Sequence, residues 1–268
     1  MNEADLELRL RFGQAIAVDA GRQAREHYNR RHELTVEFKG VQNLVSEADR
    51  ICEHTISNAL ARAFPADAVM GEEHGHRNPG GGILWVIDPI DGTTNFLRGL
   101  PLWCVSIGLL EDHRPIAGII YNPVTEELYW ALRGGGAWRN GTRIKVSGAG
   151  RLDQSRIGVS FSYRRSLETH IDAVASCFSA RCEFTRLGSS ALGMALTADG
   201  RLDGFWERPL QPWDMAAGSL IVEEAGGIVS DYAGDPFTPF GDGVIAGNVA
   251  MHGAMLDAIL TSAGEVLP

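Results

Sequence analysis

The sequence predicts a mixed α/β protein in which two layers of β-sheet pack with helices. In the first half, three apolar segments are joined by short polar turns, which favours antiparallel pairing; they cover residues 103–110, 115–121 and 128–131. In the second half, helix-like segments alternate with strand-like ones, which cover residues 156–160, 181–185 and 204–207. The order of expected strands and helices changes near residue 150, so the two halves are expected to differ in architecture.

The remaining elements follow from hydrophobic spacing and turn signals. Apolar residues recur at helical spacing through the first 28 residues, and a second helix-like stretch covers residues 49–64. A short apolar strand follows at 69–71, and the apolar run at 83–87 is typical of a buried strand. Asn140-Gly141 is a strong two-residue turn, so a hairpin is expected there.

Asp88 and Asp91 stand three residues apart just after the strand at 83–87. A proline and a glycine in the same run force the backbone into an irregular turn. Two carboxylates held this close repel each other unless a cation neutralises them, and hard cations such as Mg2+ prefer oxygen ligands. The pattern predicts a metal site, to which the carbonyl of Ile90 adds another oxygen.

Gly92, Thr93 and Thr94 continue this run at an expected helix start. Free backbone N–H groups and the helix dipole favour a phosphate at such a position, next to the metal site. Taken alone, each aspartate could instead cap a turn, because Asp-Pro and Asp-Gly are common turn dipeptides. The neighbouring residues favour the metal site.

Acidic residues also stand at three other element boundaries. Glu72 and its neighbour Glu73 follow the short strand, and the alternative for such a pair is solvated surface charge. Asp49 and Asp214 each stand at an expected helix start, where either could be the N-cap. Capping and a role at a metal site are compatible. His74 lies beside the glutamates, but oxygen ligands dominate the set, which argues against zinc.

These motifs resemble the signatures of the inositol monophosphatase family, Mg2+-dependent phosphomonoesterases of the wider group that includes fructose-1,6-bisphosphatase. The resemblance rests on WVIDPIDGTTNF at 85–96, on WDMAAGSLIVEEAGG at 213–227 and on Gly-Glu-Glu at 71–73. The segment at 39–49 matches in part, since it departs from common family residues at three positions and keeps Asp49. The resemblance extends over residues 39–247.

The resemblance implies the family's layered αβαβα sandwich and its usual homodimer. Residues 1–148 are expected to form an α+β subdomain with an antiparallel sheet and most metal ligands. Residues 149–268 are expected to form an α/β subdomain that contributes Asp214 and substrate contacts. The two would act as one catalytic unit, because the site draws on both.

The resemblance also implies the metal ligands. Glu72, Asp88 and the Ile90 carbonyl would hold one Mg2+, and Asp88, Asp91 and Asp214 would hold a second. A third, weaker cation is expected near Glu72, Mn2+ is expected to substitute, and lithium is expected to inhibit. Such metals would activate a water for in-line attack on phosphorus and stabilise the leaving oxygen.

The remaining implied roles concern proton transfer and the substrate. The expected catalytic residues are Asp49, Thr93 and Glu72. Thr93 and Asp49 would take up the proton of the attacking water, and Glu72 would hold the metal that binds this water. The expected substrate contacts come from both halves, and they are Asp91, Gly92, Thr93, Thr94, Gly188, Ser189, Ser190, Glu207 and Asp214. Alternatives are a helix-capping role for the two serines and an ordinary strand-end charge for Glu207.

Composition narrows the classes of function. With 268 residues, of which 44% are hydrophobic, the chain can bury a substantial core. A net charge of −10 argues against binding nucleic acid, which needs a basic surface. No secretion signal or bilayer-spanning stretch is present, so we expect a cytoplasmic protein without a membrane partner. The four cysteines form no Cys-x-x-Cys pair, which predicts reduced, mostly buried thiols.

Three classes of function follow from this sequence. The leading one is hydrolysis of inositol monophosphate. A second keeps the chemistry and changes the alcohol to histidinol phosphate, fructose 1,6-bisphosphate or a nucleotide bisphosphate. The third is a regulatory or partner-binding protein that retains the fold, for which loss of the ligand set is expected. That set is intact here, which favours catalysis.

Overall fold

The helices and strands are those of a computed structural model, which describes residues 1–40, 43–77, 82–161 and 167–263. The helices in these ranges are α1 (Glu3–Asn29), α2 (Glu47–Ala63), α3 (Thr93–Arg98), α4 (Leu167–Ser179), α5 (Ser190–Ala198), α6 (Pro212–Glu224) and α7 (Val249–Ala263). None of these helices is both long and apolar enough to cross a membrane. Val41 and Gln42, within the partly matching segment at 39–49, lie outside the described residues.

The strands in the same ranges divide between a hairpin and two larger sheets. They are β1 (Val36–Gly40), β2 (Asn43–Ser46), β3 (Ala68–Gly71), β4 (Gly75–Arg77), β5 (Ile83–Asp91), β6 (Cys104–Glu111), β7 (Arg114–Asn122), β8 (Glu127–Leu132), β9 (Gly136–Arg139), β10 (Thr142–Arg143), β11 (Arg156–Phe161), β12 (Glu183–Thr185), β13 (Gly204–Arg208), β14 (Ile228–Ser230) and β15 (Val244–Gly247).

The first large sheet has the strand order β10-β9-β8-β7-β6-β5-β3-β4. Its pairs are antiparallel except β3 with β5, which confirms the antiparallel pairing predicted for the strands that begin at 104, 114 and 127. Asn140 and Gly141 both have positive φ, 47° and 78°, between the paired residues Arg139 and Thr142. The predicted two-residue hairpin turn is therefore confirmed.

The second large sheet has the order β12-β11-β13-β15-β14. Its strands β12, β11 and β13 run parallel, while β15 runs antiparallel to its neighbours. Parallel strands need a crossover, and α4 and α5 supply the connections. This topology follows from the alternation of strands and helices that the sequence predicts for the second half.

Five layers result from the packing of the helices. α1 and α2 cover one face of the first sheet, α5 and α6 lie between the sheets, and α4 and α7 cover the far side of the second. Each layer boundary is apolar, and the largest fully buried side chains include Trp85, Trp103 and Trp206. The expected αβαβα sandwich is confirmed. The subdomain boundary at 148 stays a prediction.

The four cysteines are free and buried, as expected for reduced thiols.

α6 lies directly on the backbone of the first sheet because glycines remove the side chains in its way. A Cβ placed on Gly118 of β7 would stand 2.4 Å from the carbonyl oxygen of Ala217. A Cβ on Gly108 of β6 would stand 2.8 Å from the Cβ of Ala216. This close contact fixes the N-terminus of α6, and with it Asp214, relative to strand β5.

We expect Gly118→Ala to lower the free energy of unfolding by about 1–3 kcal/mol, because the added methyl group overpacks the contact with α6. Thermal unfolding followed by circular dichroism should show a Tm lower by about 2–4 °C for each kcal/mol. Gly148→Ala is the matched control, since a Cβ there meets no atom within 4 Å. Equal Tm values for the two variants would contradict this account of the packing.

Candidate metal centre and active site

The site forms where β5 carries an irregularity near its end. Asp88 pairs with Ser106 and Asp91 pairs with Cys104, so that one more residue separates the pairs on β5 than on β6. This extra residue is a β-bulge. The irregular backbone predicted here is present, but the strand continues to Asp91 instead of ending at Ile87.

Three carboxylates predicted to share a cation come together at this place. Asp88, Asp91 and Asp214 each offer an oxygen, and these oxygens lie within 4.8 Å of one another. Asp88 and Asp91 are buried, and Asp214 is half-buried. The first two come from β5 and the third from α6, so both halves of the chain contribute.

The parallel pairing of β3 with β5 places Glu72 near this cluster. Gly71 stands opposite Ile87, and the next N–H along β3, that of Glu72, donates to the Ile87 carbonyl over 3.3 Å. After burial, the negative charge of Glu72 is the main cause that raises the pKa of Asp88. The role of Glu72 and Asp88 as ligands of one metal stays a prediction.

Asp91 is held by the start of α5. Its carboxylate accepts hydrogen bonds from the Ser189 hydroxyl at 2.6 Å, the Ala191 N–H at 2.7 Å and the Ser190 N–H at 3.3 Å. The Cys104 thiol lies 3.8 Å from the same carboxylate. Since α5 belongs to the second half of the chain, these bonds join the two halves at the site.

Asp49 and Asp214 occupy the same position in two different helices. The N-cap residues are Ser46 for α2 and Gln211 for α6, and each aspartate stands at the third helical position. Asp49 accepts from the Ser46 N–H at 2.9 Å, and Asp214 accepts from the Gln211 N–H at 2.7 Å. The alternative that these aspartates are themselves N-caps does not hold, because a capping box places its carboxylate three residues after the N-cap.

Thr93 lies between Asp49 and the β5 bulge that carries the acidic cluster. Its hydroxyl lies 3.3 Å from Asp49 Oδ1 and 3.1 Å from the Ile90 carbonyl oxygen. α3 begins at Thr93, with Gly92 as its N-cap in a left-handed conformation, φ 100°. A Cβ on Gly92 would stand 2.8 Å from the Leu102 carbonyl, so the residue type and the backbone conformation match.

Burial raises the pKa values of four aspartates at the site, and repulsion from neighbouring carboxylates adds to the effect at Asp88 and Asp214. The pKa of Asp49 rises to about 6, chiefly because of burial. Burial also raises the pKa values of Asp91, Asp88 and Asp214, the last two well above their usual range. Within the described residues, no Lys or Arg pairs with the three clustered aspartates. The carboxylates therefore fit a hard divalent cation, which would relieve their repulsion.

Glu207 lies beside this group on β13. Its Oε2 accepts a hydrogen bond from the Ser190 hydroxyl at 2.6 Å, and burial raises its pKa to about 7. Ser189 is the N-cap of α5 and accepts from the Leu192 N–H, so the capping alternative holds for this serine. Gly188 precedes it with φ 72°. The residues predicted to bind the alcohol therefore adjoin the acidic cluster.

A model of the inositol monophosphatase family matches residues 5–266. The chain belongs to the inositol monophosphatase family. Its sequence is 40% identical to an inositol-1-monophosphatase of Mesorhizobium japonicum, over 91% of this chain and 92% of the relative. It is also 40% identical to the Nus factor SuhB of Pseudomonas aeruginosa, over 91% and 94%. The solved IMPase of Thermotoga maritima matches with a TM-score of 0.88 at 31% identity, over 97% and 99%.

The inositol monophosphatase family comprises metal-dependent phosphatases, and the aspartate cluster supplies a group that could bind a metal ion. The resemblance stated from the sequence motifs is thus confirmed. In the described residues, the metal-capable group contains no histidine. The Nδ1 atom of His74 lies 2.9 Å from a carboxylate oxygen of Glu53.

Sequence reasoning missed two kinds of residue at this inositol monophosphatase site. Asn95 donates from its amide to the carbonyls of Leu187 at 2.8 Å and Leu102 at 2.6 Å, and so joins the loop before α5 to α3. Asn95 lies inside the run at residues 85–96 that carries the family resemblance, and this position could have indicated its role. The backbone N–H of Ala191 bonds Asp91, but no side-chain pattern indicates a backbone donor.

We expect the metal-free protein to become more stable as the pH is lowered from 7.5 to 5.5. The pKa of Asp49, about 6, exceeds its usual 3.8, and those of Asp88 and Asp214 are raised too. The folded state therefore binds more protons than the unfolded chain in this interval, and stability falls as pH rises. His252 and Cys182, whose pKa values are lowered, by burial and by the hydrogen bond with Cys177 respectively, act in the opposite direction but are two groups against several.

The measurement is Tm at each pH after the metal has been removed by chelation and dialysis, and the expected rise is at least about 3 °C. Asp88→Asn is the control, because removal of one charge from the cluster should reduce the pH dependence. A Tm that falls on acidification would show that burial does not raise the pKa values of these carboxylates in the folded protein.

Proposed function

We propose that this protein is a Mg2+-dependent phosphomonoesterase that hydrolyses inositol monophosphate to inositol and phosphate. The observation that carries the proposal is the convergence of three carboxylates, Asp88, Asp91 and Asp214, next to the hydrogen-bonded pair of Thr93 and Asp49. Its membership of a phosphatase family supports the reaction class. The identity of the alcohol rests on the residues around Glu207.

The residues proposed to hold Mg2+ are Glu72, Asp88, the Ile90 carbonyl, Asp91 and Asp214, with two or three ions per subunit. When bound, Mg2+ would neutralise phosphate charge and lower the pKa of water. Mn2+ is expected to substitute, and lithium to inhibit.

Thr93 and Asp49 are proposed to receive the proton of the attacking water. The Thr93 hydroxyl can donate to Asp49 while one of its lone pairs accepts a hydrogen bond from water. A base is most effective when its pKa lies near the working pH, and the pKa of Asp49 is raised to about 6. The Ser46 hydroxyl, 2.6 Å from the other Asp49 oxygen, would keep the carboxylate oriented towards Thr93.

The phosphate is proposed to bind at the start of α3. The first N–H groups of a helix have no intrahelical acceptor, so those following Gly92, at Thr93 and Thr94, are suited to anionic oxygens. This start lies beside Asp91 in the chain. The reactive phosphorus and the acidic cluster would then be adjacent, as hydrolysis requires.

Glu207 and Ser190 are proposed to select a polyol. Glu207 is buried beside Asp91 and accepts hydrogen bonds from the Ser190 and Ser160 hydroxyls. A carboxylate has about four acceptor sites, so lone pairs remain for substrate hydroxyls. Ring hydroxyls donate to a carboxylate, and bonds to charged groups contribute about 1.5–3 kcal/mol each. An alcohol without hydroxyl groups at matching positions would lose this contribution.

A partner-binding role beside catalysis is a second candidate function. The relative in Pseudomonas aeruginosa is named a Nus factor, and it matches this chain as closely as the inositol-1-monophosphatase does. The complete acidic cluster favours catalysis as the primary role. We further propose a cytoplasmic homodimer, on the family resemblance.

The test of the reaction is phosphate release from four substrates: inositol 1-phosphate, histidinol phosphate, fructose 1,6-bisphosphate and 3′-phosphoadenosine 5′-phosphate. We expect kcat/KM to be highest for inositol 1-phosphate and activity to disappear in chelator. Asp91→Asn should lower kcat by about 100–1000-fold or more, because it removes charge from the cluster.

The control for Asp91→Asn is Asp257→Asn, which makes the same change at an exposed position of α7. Preference for another substrate would assign that alcohol instead. Full activity in chelator would refute the metal site, and no turnover of any substrate by folded, metal-bound protein would favour the partner-binding role.

Glu207→Gln should lower kcat/KM for inositol 1-phosphate by about 10–100-fold, since the amide loses the charge that strengthens bonds to substrate hydroxyls. Hydrolysis of 4-nitrophenyl phosphate, which has no such hydroxyls, should change by less than about 3-fold, because phosphate contacts are untouched. Parallel loss on both substrates would contradict a role in alcohol selection and indicate a structural one.

A further inference from the structure

We infer that Glu53 is a positioning residue that fixes the Glu72 carboxylate for metal binding. This inference rests on the proposed function, because it assumes that Glu72 is a metal ligand. Glu53 lies in the middle of α2, one turn after Asp49, and is only 1% exposed. None of the sequence motifs includes it.

The Glu53 carboxylate binds the turn that follows Glu72. Its Oε2 accepts the Glu73 N–H at 2.7 Å, and its Oε1 accepts the His74 N–H at 2.8 Å. The His74 ring nitrogen Nδ1 lies 2.9 Å from the same Oε1. Two consecutive backbone N–H groups and an imidazole thus point at one buried side chain. A buried carboxylate that accepts several N–H groups is a rigid anchor.

Gly71 makes the space for this carboxylate. A Cβ on Gly71 would stand 2.3 Å from Glu53 Oε1, 2.4 Å from Cδ and 2.8 Å from Oε2. The space that a side chain at position 71 would occupy is therefore filled by the Glu53 carboxylate. Gly71 directly precedes Glu72, so the carboxylate of Glu53 lies against the backbone on both sides of the proposed ligand.

Glu72 is held between two fixed elements as a result. On one side its N–H donates to the Ile87 carbonyl of β5, at 3.3 Å. On the other side, the next two N–H groups are bound by Glu53 of α2. A metal ligand held in place before binding loses less conformational entropy when the ion binds. Groups that orient ligands in this way typically account for 10–100-fold in metal affinity.

The test is Mg2+ binding by the metal-free protein, measured by isothermal titration calorimetry, for Glu53→Gln and for Glu47→Gln. In the first variant, an amide NH2 would face a backbone N–H, and the turn would be released. We expect Kd for Mg2+ to rise by about 10–100-fold for Glu53→Gln and to stay unchanged for Glu47→Gln. Glu47 is an exposed residue of the same helix and undergoes the same charge change.

Kinetics give a second readout that a general loss of stability would not produce. For Glu53→Gln, the Mg2+ concentration for half-maximal rate should rise by about 10–100-fold, while kcat at saturating Mg2+ stays within about 3-fold of the wild type. Saturating Mg2+ should thus rescue the variant. An unchanged Kd in folded Glu53→Gln, or a loss of kcat that Mg2+ does not restore, overturns the inference.

A second variant covers the case in which Glu53→Gln does not fold. Gly71→Ala keeps the Glu53 charge and displaces its carboxylate, so it should weaken Mg2+ binding in the same direction. Failure of both variants to fold would assign Glu53 to the fold and overturn the inference. If the wild type binds Mg2+ but hydrolyses no phosphate ester, the proposed function fails while the affinity test of Glu53 stands. If the wild type binds no Mg2+, both fail.

Discussion

Repulsion among buried carboxylates is the constraint around which this protein is organised. Asp88, Asp91 and Asp214 bring oxygens within 4.8 Å of one another at the junction of the two halves. Charges this close raise the free energy of the folded state unless donors or cations surround them. Three features next to the cluster offset this repulsion. The bulge and the glycine contacts fix the positions of the carboxylates, and the helix starts supply N–H donors to them.

Helix N-termini provide much of that compensation. α2, α5 and α6 each begin at the site, and each directs backbone donors at an aspartate, namely Asp49, Asp91 and Asp214. The positive end of the helix dipole favours negative charge at these positions. Because α2 belongs to the outer helix layer and α5 and α6 belong to the layer between the sheets, the site also ties these two layers together. Structure and chemistry therefore depend on the same hydrogen bonds.

Much of this arrangement could be predicted from the sequence, because local patterns determine it. The antiparallel strands, the hairpin at Asn140-Gly141 and the acidic run around Asp88 follow from spacing and residue type. The exact helix position of Asp49 and Asp214 did not follow, since an aspartate at a helix start is compatible with both the cap and the third position. Glu53 could not be predicted, because its partners are backbone N–H groups about 20 residues away, which leave no pattern in the sequence.

The bulge in β5 determines which way two carboxylates face. Side chains alternate between the two faces of a regular strand, so residues three apart would point to opposite sides of the sheet. One extra residue between Asp88 and Asp91 restores them to the same side, where their oxygens meet. The number of residues between the two aspartates is therefore constrained more tightly than their identity. A deletion or insertion there would turn one aspartate towards the opposite face of the sheet. Many substitutions there would leave the geometry intact.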